Sequence, residues 1–536
     1  MSASPRFHQT RIYTLIPLQM WLQAVAIALP RIQVSFAVSS ASIGYLSSAT
    51  FFGMMMGALL WGTLSDILGR VSVFNLTLSL SALFGFLSFY VDTFPTLCLA
   101  NFLLGTAVGG SMPTDGTFAL ETLPRRKRHL LTSLSVFFSF GSVIAAVVAL
   151  FVIPGNSCAH AHLPTAPPCD IHKDNNGWKY LFFVLSVITV AMFLARFFFF
   201  SLHESPRYLV HAGKKEEAAI VLAKIARFNG DELSITVADV DDDHEEAGGD
   251  VGSSTIRRSI AIRDGEEERL LSSPVRERRP LQRVRAASQS SIASVKSSSA
   301  YMLARRWIVR PIHAWYVRVS GLLAGEWRTR TLLIWGIWMT MALAYTIFNV
   351  FLPTLLEYRS QPNTGSMDDD TSGLVGPLWE VVVFTLGGCP GALIGAYLVD
   401  IAPRYRWSKA LVLAGATFAT GACCFAFTLV SGYLYIVLTT VGMSLMSTIM
   451  WSILYGMTPE LFVTEVRGTA CGTASALSRI GGVLAPLIGG VLVSIDPSLV
   501  VLTSTAVFCV STGLLILLHR NLQHSSGMTS PISDDD

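Results

Sequence analysis

Charge is scarce in this chain. Only 14% of its 536 residues are Asp, Glu, Lys or Arg, and the formal net charge is +3; soluble domains carry about 25% charged residues. A balance this close to neutral gives no reason to invoke nucleic acid as a partner. Cys and His never fall at metal-ligand spacing, so no metal and no cofactor is expected. The chain has no nucleophile–base constellation and no nucleotide-binding loop, which argues against an enzyme. A cleavable signal is missing as well, because the first apolar run is too long and no small-residue cleavage site follows it. Among the eight cysteines, Cys98, Cys389, Cys423, Cys424, Cys471 and Cys509 lie in apolar runs and read as small buried hydrophobes.

What fills the chain instead is apolar surface, 51% of residues. Twelve apolar runs begin near Tyr13, Ser42, Val73, Pro95, Leu130, Tyr180, Leu332, Leu378, Ala410, Tyr433, Gly468 and Leu499. Each is long enough to cross the ~30 Å hydrocarbon core as a helix, and a helix satisfies its own backbone groups in lipid. The fourth run is broken by Gly105, Gly109, Gly110 and Pro113, small or breaking residues that let neighbouring helices approach closely.

Lys and Arg near the run ends set the orientation. One side holds Arg70, Arg125, Arg126, Lys127, Arg128, Arg404, Arg406, Lys409, Arg467 and Arg520; the other has chiefly Lys173, Lys179 and Arg359 beside Asp368, Asp369 and Asp370. The first side is expected to be cytoplasmic, with both termini on it, in a plasma membrane or an endomembrane such as the vacuole or lysosome. Cys158 and Cys169 share a polar loop on the opposite side, where an oxidising compartment would join them in a disulfide.

The expected organisation is a tail over 1–12, a six-helix bundle over 13–204, a cytoplasmic linker over 205–328, a second bundle over 329–520 and a tail over 521–536. The linker opens with helical periodicity from Lys214 to Arg227 and continues acidic, then Ser- and Arg-rich, a composition too polar to pack. Arg257-Arg-Ser259 and Arg285-Ala-Ala-Ser288 match patterns read by basophilic kinases. Leu270-Leu271 after an acidic run matches a sorting-adaptor pattern; the alternative for all three is a solvated linker. Tyr301 to Leu323 interleaves aromatics with arginines, as in a helix lying on the inner leaflet.

Two charge patterns recur in the same order. Asp66-Ile-Leu-Gly69-Arg70 after the second run is echoed by Asp400-Ile-Ala-Pro403-Arg404 after the eighth. Glu121 precedes Arg128 by seven residues at the end of the fourth, and Glu460 precedes Arg467 by seven at the end of the tenth. The acid-to-acid separations are 55 residues from Asp66 to Glu121 and 60 from Asp400 to Glu460. Such an echo implies two six-helix halves, each closing one end with ion pairs around a site between them.

Gly62-Thr-Leu-Ser-Asp66-Ile-Leu-Gly69-Arg70, Glu121-x-x-Pro124-x-x-x-Arg128, Glu204-Ser-Pro-Arg207 and Pro459-Glu-Leu-Phe-Val-Thr-Glu-Val-Arg467-Gly468 together resemble the major facilitator superfamily, in its sugar-porter and synaptic-vesicle-glycoprotein-related branches. Gly109-Gly-Ser-Met-Pro113-Thr-Asp115-Gly and Ser478-Arg479-Ile-Gly-Gly lean towards the vesicle-related branch. The resemblance implies an all-α membrane protein of twelve transmembrane helices in two pseudo-repeated bundles, working as a monomer by alternating access. It also implies that Gly62, Asp66, Gly69, Arg70, Glu121, Arg128, Glu204, Arg207, Asp400, Arg404, Glu460 and Arg467 form the cytoplasmic lock. The Gln-Gln and Gly-Ile-Asn cluster of hexose porters is absent from the seventh run, as is their Pro-Glu-Thr-Lys-Gly ending, so hexose specificity is not implied.

A charge at the bilayer centre costs at least ~2.5 kcal/mol and needs a reason. Arg479 lies twelve residues past Arg467, ~18 Å deep at ~1.5 Å per residue, placed to bind an anionic group or to pair with an internal acid. Asp115 lies ~9 Å inside by the same count, either a protonatable coupling group or part of the lock. Gln19, Gln23, Asn101, Tyr345, Asn349, Trp451 and Tyr455 are on runs that face the cavity in this family. The expected partner is therefore a small polar or anionic organic solute, moved with a proton across the lipid bilayer. A sugar or polyol carrier of the same fold, and a non-transporting sensor or vesicle-trafficking protein, stand as alternatives.

Overall fold

The computed structural model describes residues 15–110, 135–158, 170–199, 204, 206–211, 213–229, 319–325, 327–360, 372–401, 408–462 and 464–527. Twelve long helices account for the apolar runs: α1 (Leu15–Ser35), α2 (Ser40–Leu68), α3 (Arg70–Phe89), α4 (Phe94–Gly109), α5 (Ser135–Val152), α6 (Gly177–Phe199), α7 (Trp327–Ser360), α8 (Ser372–Ile401), α9 (Lys409–Leu429), α10 (Tyr433–Met457), α11 (Thr464–Ile495) and α12 (Pro497–Gly527). Among the described residues nine of these are long and apolar enough to cross a membrane, and α4 and α5 contribute shorter apolar helices. The twelfth, α1, dilutes its apolar sequence with Gln19, Gln23, Arg31 and Gln33.

Several helices begin before the apolar residues do. α8 starts at Ser372 rather than Leu378, and α12 runs to Gly527, past the expected end at 520. Polar first and last turns stay helical because their backbone bonds extend the ladder already nucleated in the apolar segment. The helix expected from Lys214 to Arg227 spans Lys215–Asn229, after a shorter one at Pro206–His211. Met1–Leu233 and Arg318–Asp536 make up one unit; Ser234–Val317 is a second that lies outside the described residues. The kinase and dileucine patterns, and most of the Tyr301 to Leu323 stretch, fall there or in other segments not described.

Helix pairing repeats with an offset of six. α2 packs on α4, α1 on α5 and α3 on α6; correspondingly α8 packs on α10, α7 on α11 and α9 on α12. The two halves meet through α2 on α11 and its mirror pair α5 on α8, while α1 meets α7 on the pseudo-twofold axis itself. The duplication read in the charge motifs is thus a duplication of packing.

Glycine makes the tightest of these pairs possible. A β-carbon at Gly53 or Gly57 would strike the Phe102 or Thr106 carbonyl of α4, and one at Gly105 or Gly109 would strike the Thr50 or Met54 backbone of α2. Trp61 locks the same seam by donating from Nε1 to the Thr106 carbonyl at 2.8 Å. In the second half a β-carbon at Gly391 would come within 2.6 Å of the Leu445 carbonyl oxygen, and one at Gly395 within 2.7 Å of the Ser452 β-carbon. Gly62, expected to permit a similar approach, has nothing among the described residues within 4 Å of where its β-carbon would be. Gly69 is needed for another reason: its φ of 91° between α2 and α3 lies in the region L side chains avoid.

Replacing Gly57 by Leu is therefore expected to cost about 1–3 kcal/mol through overpacking of α2 on α4. Gly62→Ala should be neutral or slightly stabilising, since a helix-interior glycine costs ~0.5–1 kcal/mol relative to alanine. Thermal unfolding of the two purified variants, followed by fluorescence, compares them directly.

Candidate functional site

At the end of the bundle where α2 turns into α3, Glu204 meets the start of α3. Both carboxylate oxygens of Glu204 accept from the Val71 backbone N–H, at 3.2 and 3.3 Å. Val71 lies in the first turn of α3, where backbone N–H groups have no helical partner and the helix dipole favours an anion. The segment after α6 is thereby pinned to the Asp66–Arg70 turn. Asp66, Arg70, Arg207 and Asp400 lie in helices α2, α3, Pro206–His211 and α8, without described side chains. Glu121, Arg128, Arg404 and Asp115 lie outside the described residues.

The second half has charged contacts of its own. Glu460 is paired with Lys409, whose Nζ is 2.6 Å from its carboxylate, and Arg467 donates from Nε and Nη2 to the Phe462 carbonyl, each at 3.3 Å. Lys409 opens α9, and the turn around Phe462 brings Glu460 to it. The cation for Glu460 thus comes from the neighbouring helix α9.

Deeper between the helices, the cavity candidates separate by environment. Gln23, Asn101, Asn349 and Arg479 are buried; Gln19, Tyr345 and Trp451 are half-buried; Tyr455 is exposed. Asn101 spends its amide N–H on the Leu97 carbonyl of its own helix at 3.0 Å. Gln23 Nε2 and Asn349 Oδ1 have no hydrogen-bond partner within the described residues, an uncommon condition for buried polar atoms and one that a ligand or water relieves.

α7 and α10 bring four rings together. Trp338 stands edge-on to Trp451 and Tyr455 at centroid distances of 6.2 and 5.1 Å, Tyr345 meets Trp451 at 6.1 Å, and Trp451 meets Tyr455 at 5.8 Å. Trp338 anchors the group by donating to Thr458 Oγ1 at 3.0 Å. The Arg479 guanidinium on α11 interacts electrostatically with the Tyr455 phenol. With Arg479 coupled to Tyr455, the cavity candidates Tyr345, Trp451 and Tyr455 fall in one ring cluster. Trp338 belongs to it and was not singled out, because a tryptophan in an apolar run carries no mark of its own.

Sequence reasoning also missed Arg31 and Glu357. They form an ion pair between α1 and α7, with side chains 6% and 21% exposed. Arg31 Nη1 also donates to the Cys158 carbonyl at 2.6 Å, and Cys158 is disulfide-bonded; Cys169 is outside the described residues. The available signal was Arg31 itself, a cation at the end of the chain's sparsely basic side.

Removing the Glu204 charge tests the α3 contact. Glu204→Gln is expected to lower stability by about 0.3–1 kcal/mol through the helix terminus, and Glu204→Ala by about 1–3 kcal/mol because Val71 N–H then loses its acceptor. Melting temperatures of the purified variants give the order.

Two family models match the chain: "Sugar (and other) transporter" over residues 13–250 and "Major Facilitator Superfamily" over residues 334–530. MFS siderochrome iron transporter 1 of Ceriporiopsis subvermispora is 30% identical over 478 residues, 88% of this chain and 79% of that protein. Synaptic vesicle glycoprotein 2C of Rattus norvegicus is 30% identical over 202 residues, 38% of this chain and 26% of that protein. Among solved structures, the E. coli xylose transporter XylE, in a partially occluded inward open conformation, superposes with a TM-score of 0.56 at 13% identity, over 94% of this chain and 95% of that one. With its repeated six-helix packing and these matches across both halves, the chain belongs to the major facilitator superfamily of membrane transporters.

Proposed function

We propose that this chain is a secondary active transporter that moves a small polar or anionic organic solute by alternating access between its two halves, as a monomer and together with a proton. The observation that carries the anionic reading is the buried Arg479, electrostatically coupled to Tyr455 of the ring cluster. A guanidinium held in low dielectric binds a carboxylate or phosphate through charge-assisted bonds, and aromatic walls accept the organic remainder of the solute. The unpartnered Gln23 and Asn349 atoms, one on the first helix of each half, add a donor and an acceptor.

The halves run over 13–204 and 329–520, with 205–328 as the linker between them. The Glu204 and Lys409–Glu460 contacts belong to the cytoplasmic end, on the positive-inside argument. The lock there opens and closes with the cycle. Asp115 is the proposed proton carrier, a carboxyl close enough to the cytoplasmic end to exchange with water.

A second reading, a sugar or polyol as cargo, is favoured by the "Sugar (and other) transporter" match over residues 13–250 and by the buried amides, which suit hydroxyl groups. A thermal-shift screen of organic acids, sugars, polyols, amino acids and phosphate separates the two. Stabilisation by an organic acid that becomes about 10- to 100-fold weaker in Arg479→Ala, the loss of a charged hydrogen bond of ~1.5–3 kcal/mol, is the expected result. A polyol hit indifferent to Arg479→Ala would select the second reading. In proteoliposomes, uptake of the hit should rise when an inward proton gradient is imposed; uptake insensitive to the gradient would reject proton coupling.

A further inference from the structure

Away from the Gly69 end, α2 meets α11 through neutral contacts among the described residues. Ser48 Oγ on α2 donates to the Val483 carbonyl of α11 at 2.8 Å, and a β-carbon at Gly44 or Gly490 would press on the Pro486 carbonyl or on the Ser40 and Ala41 carbonyls. Such close packing is individually weak at each contact. Across the axis between α1 and α7 stands a charged contact, Arg31 with Glu357.

That pair is built into its surroundings. Arg31 Nη1 is held by the carbonyl of disulfide-bonded Cys158. The Arg31 carbonyl accepts from Asn175 Nδ2 at 3.0 Å, and the same amide group reaches Ser35 Oγ at 2.8 Å. Trp178 Nε1 donates to Ser35 Oγ at 2.9 Å. The last turn of α1 is therefore clamped to the α5–α6 connection, while Glu357 comes from the other half.

We propose that Arg31 and Glu357 form the gate that holds the two halves together at this end, with the α5–α6 connection positioning the guanidinium. The proposal rests on the alternating-access reading above. Its depth suits the task. Arg31 is four residues from the end of α1 and Glu357 three from the end of α7, so they lie ~6 Å and ~4.5 Å from their helix ends. At that level a pair that is buried when closed can rehydrate when the halves part, whereas a pair broken near the midplane would strand both charges. The gate is thus strong enough to define the closed state and shallow enough to release it.

Ser47 provides a reporter. It is buried, its Oγ has no partner among the described residues, and it shares the α2 face of Gly44, Ser48 and Phe51 that packs on α11. Purified full-length Ser47→Cys protein in nanodiscs, treated with a water-soluble maleimide, should label slowly above the background of the parent chain. Adding Arg31→Gln or Glu357→Gln should speed labelling by about tenfold or more. Exchanging the charges, Arg31→Glu with Glu357→Arg, should bring the rate back towards that of Ser47→Cys alone.

If the single variants fail to fold because one buried charge is left alone, the doubly neutral Arg31→Gln, Glu357→Gln protein supplies the same readout, and fast labelling is expected there too. Labelling at the rate of Ser47→Cys alone in any monodisperse single or doubly neutral variant would overturn the gate. The readout needs no solute. Failure to transport anything would therefore count against the proposed function while leaving the labelling result to decide the gate.

Discussion

Backbone-to-backbone contact through glycine sets the spacing on which the remaining structure depends. α2 and α4 approach so closely at Gly53, Gly57, Gly105 and Gly109 that a β-carbon at any of them would collide with a carbonyl or a Cα. Lipid tails are as apolar as the side chains, so helices in a membrane gain little from burying leucine; dispersion at short range and hydrogen bonds such as Trp61 to Thr106 have to hold them. The same solution appears between α8 and α10. Once these seams are formed, the offset of six in the packing follows, and with it a pseudo-twofold axis.

Placement of polar groups follows from that axis. Each half presents its first helix to the other, so α1 and α7 lie side by side. Both carry a buried amide with an atom that has no partner among the described residues, Gln23 and Asn349, eight residues before the charged members of the inter-half pair, Arg31 and Glu357. Charge is held near one end of these helices and uncharged hydrogen-bonding capacity deeper in. That gradient matches the cost of each group: an amide is tolerated where an unpaired charge is not.

Much of the fold was legible from the chain because the relevant signals are local. A run of apolar residues of bilayer length specifies a helix whatever its neighbours are, and all twelve expected runs are helices. The glycines of the fourth run were read as contact points and are. Gly62, in the Gly62–Arg70 motif, meets nothing among the described residues, because a partner helix is what makes a glycine necessary. Tyr345, Trp451 and Tyr455 are cavity candidates by family resemblance, and Arg479 by its depth past Arg467. Trp338 completes the cluster only because α7 and α10 cross at the right height.

Membrane insertion, the number of helices, the duplication and the family were all written in the sequence alone, since hydrophobic length and repeated charge spacing survive without knowledge of contacts. Which acid meets which base was decided by tertiary structure. Arg31 finds Glu357 across 326 residues, and Glu460 takes Lys409 from the start of α9 although Arg467 is nearer in sequence. An ion pair is a property of two side chains in space. Only the crossing of α1 with α7, and of α9 with the end of α10, brings those charges within reach.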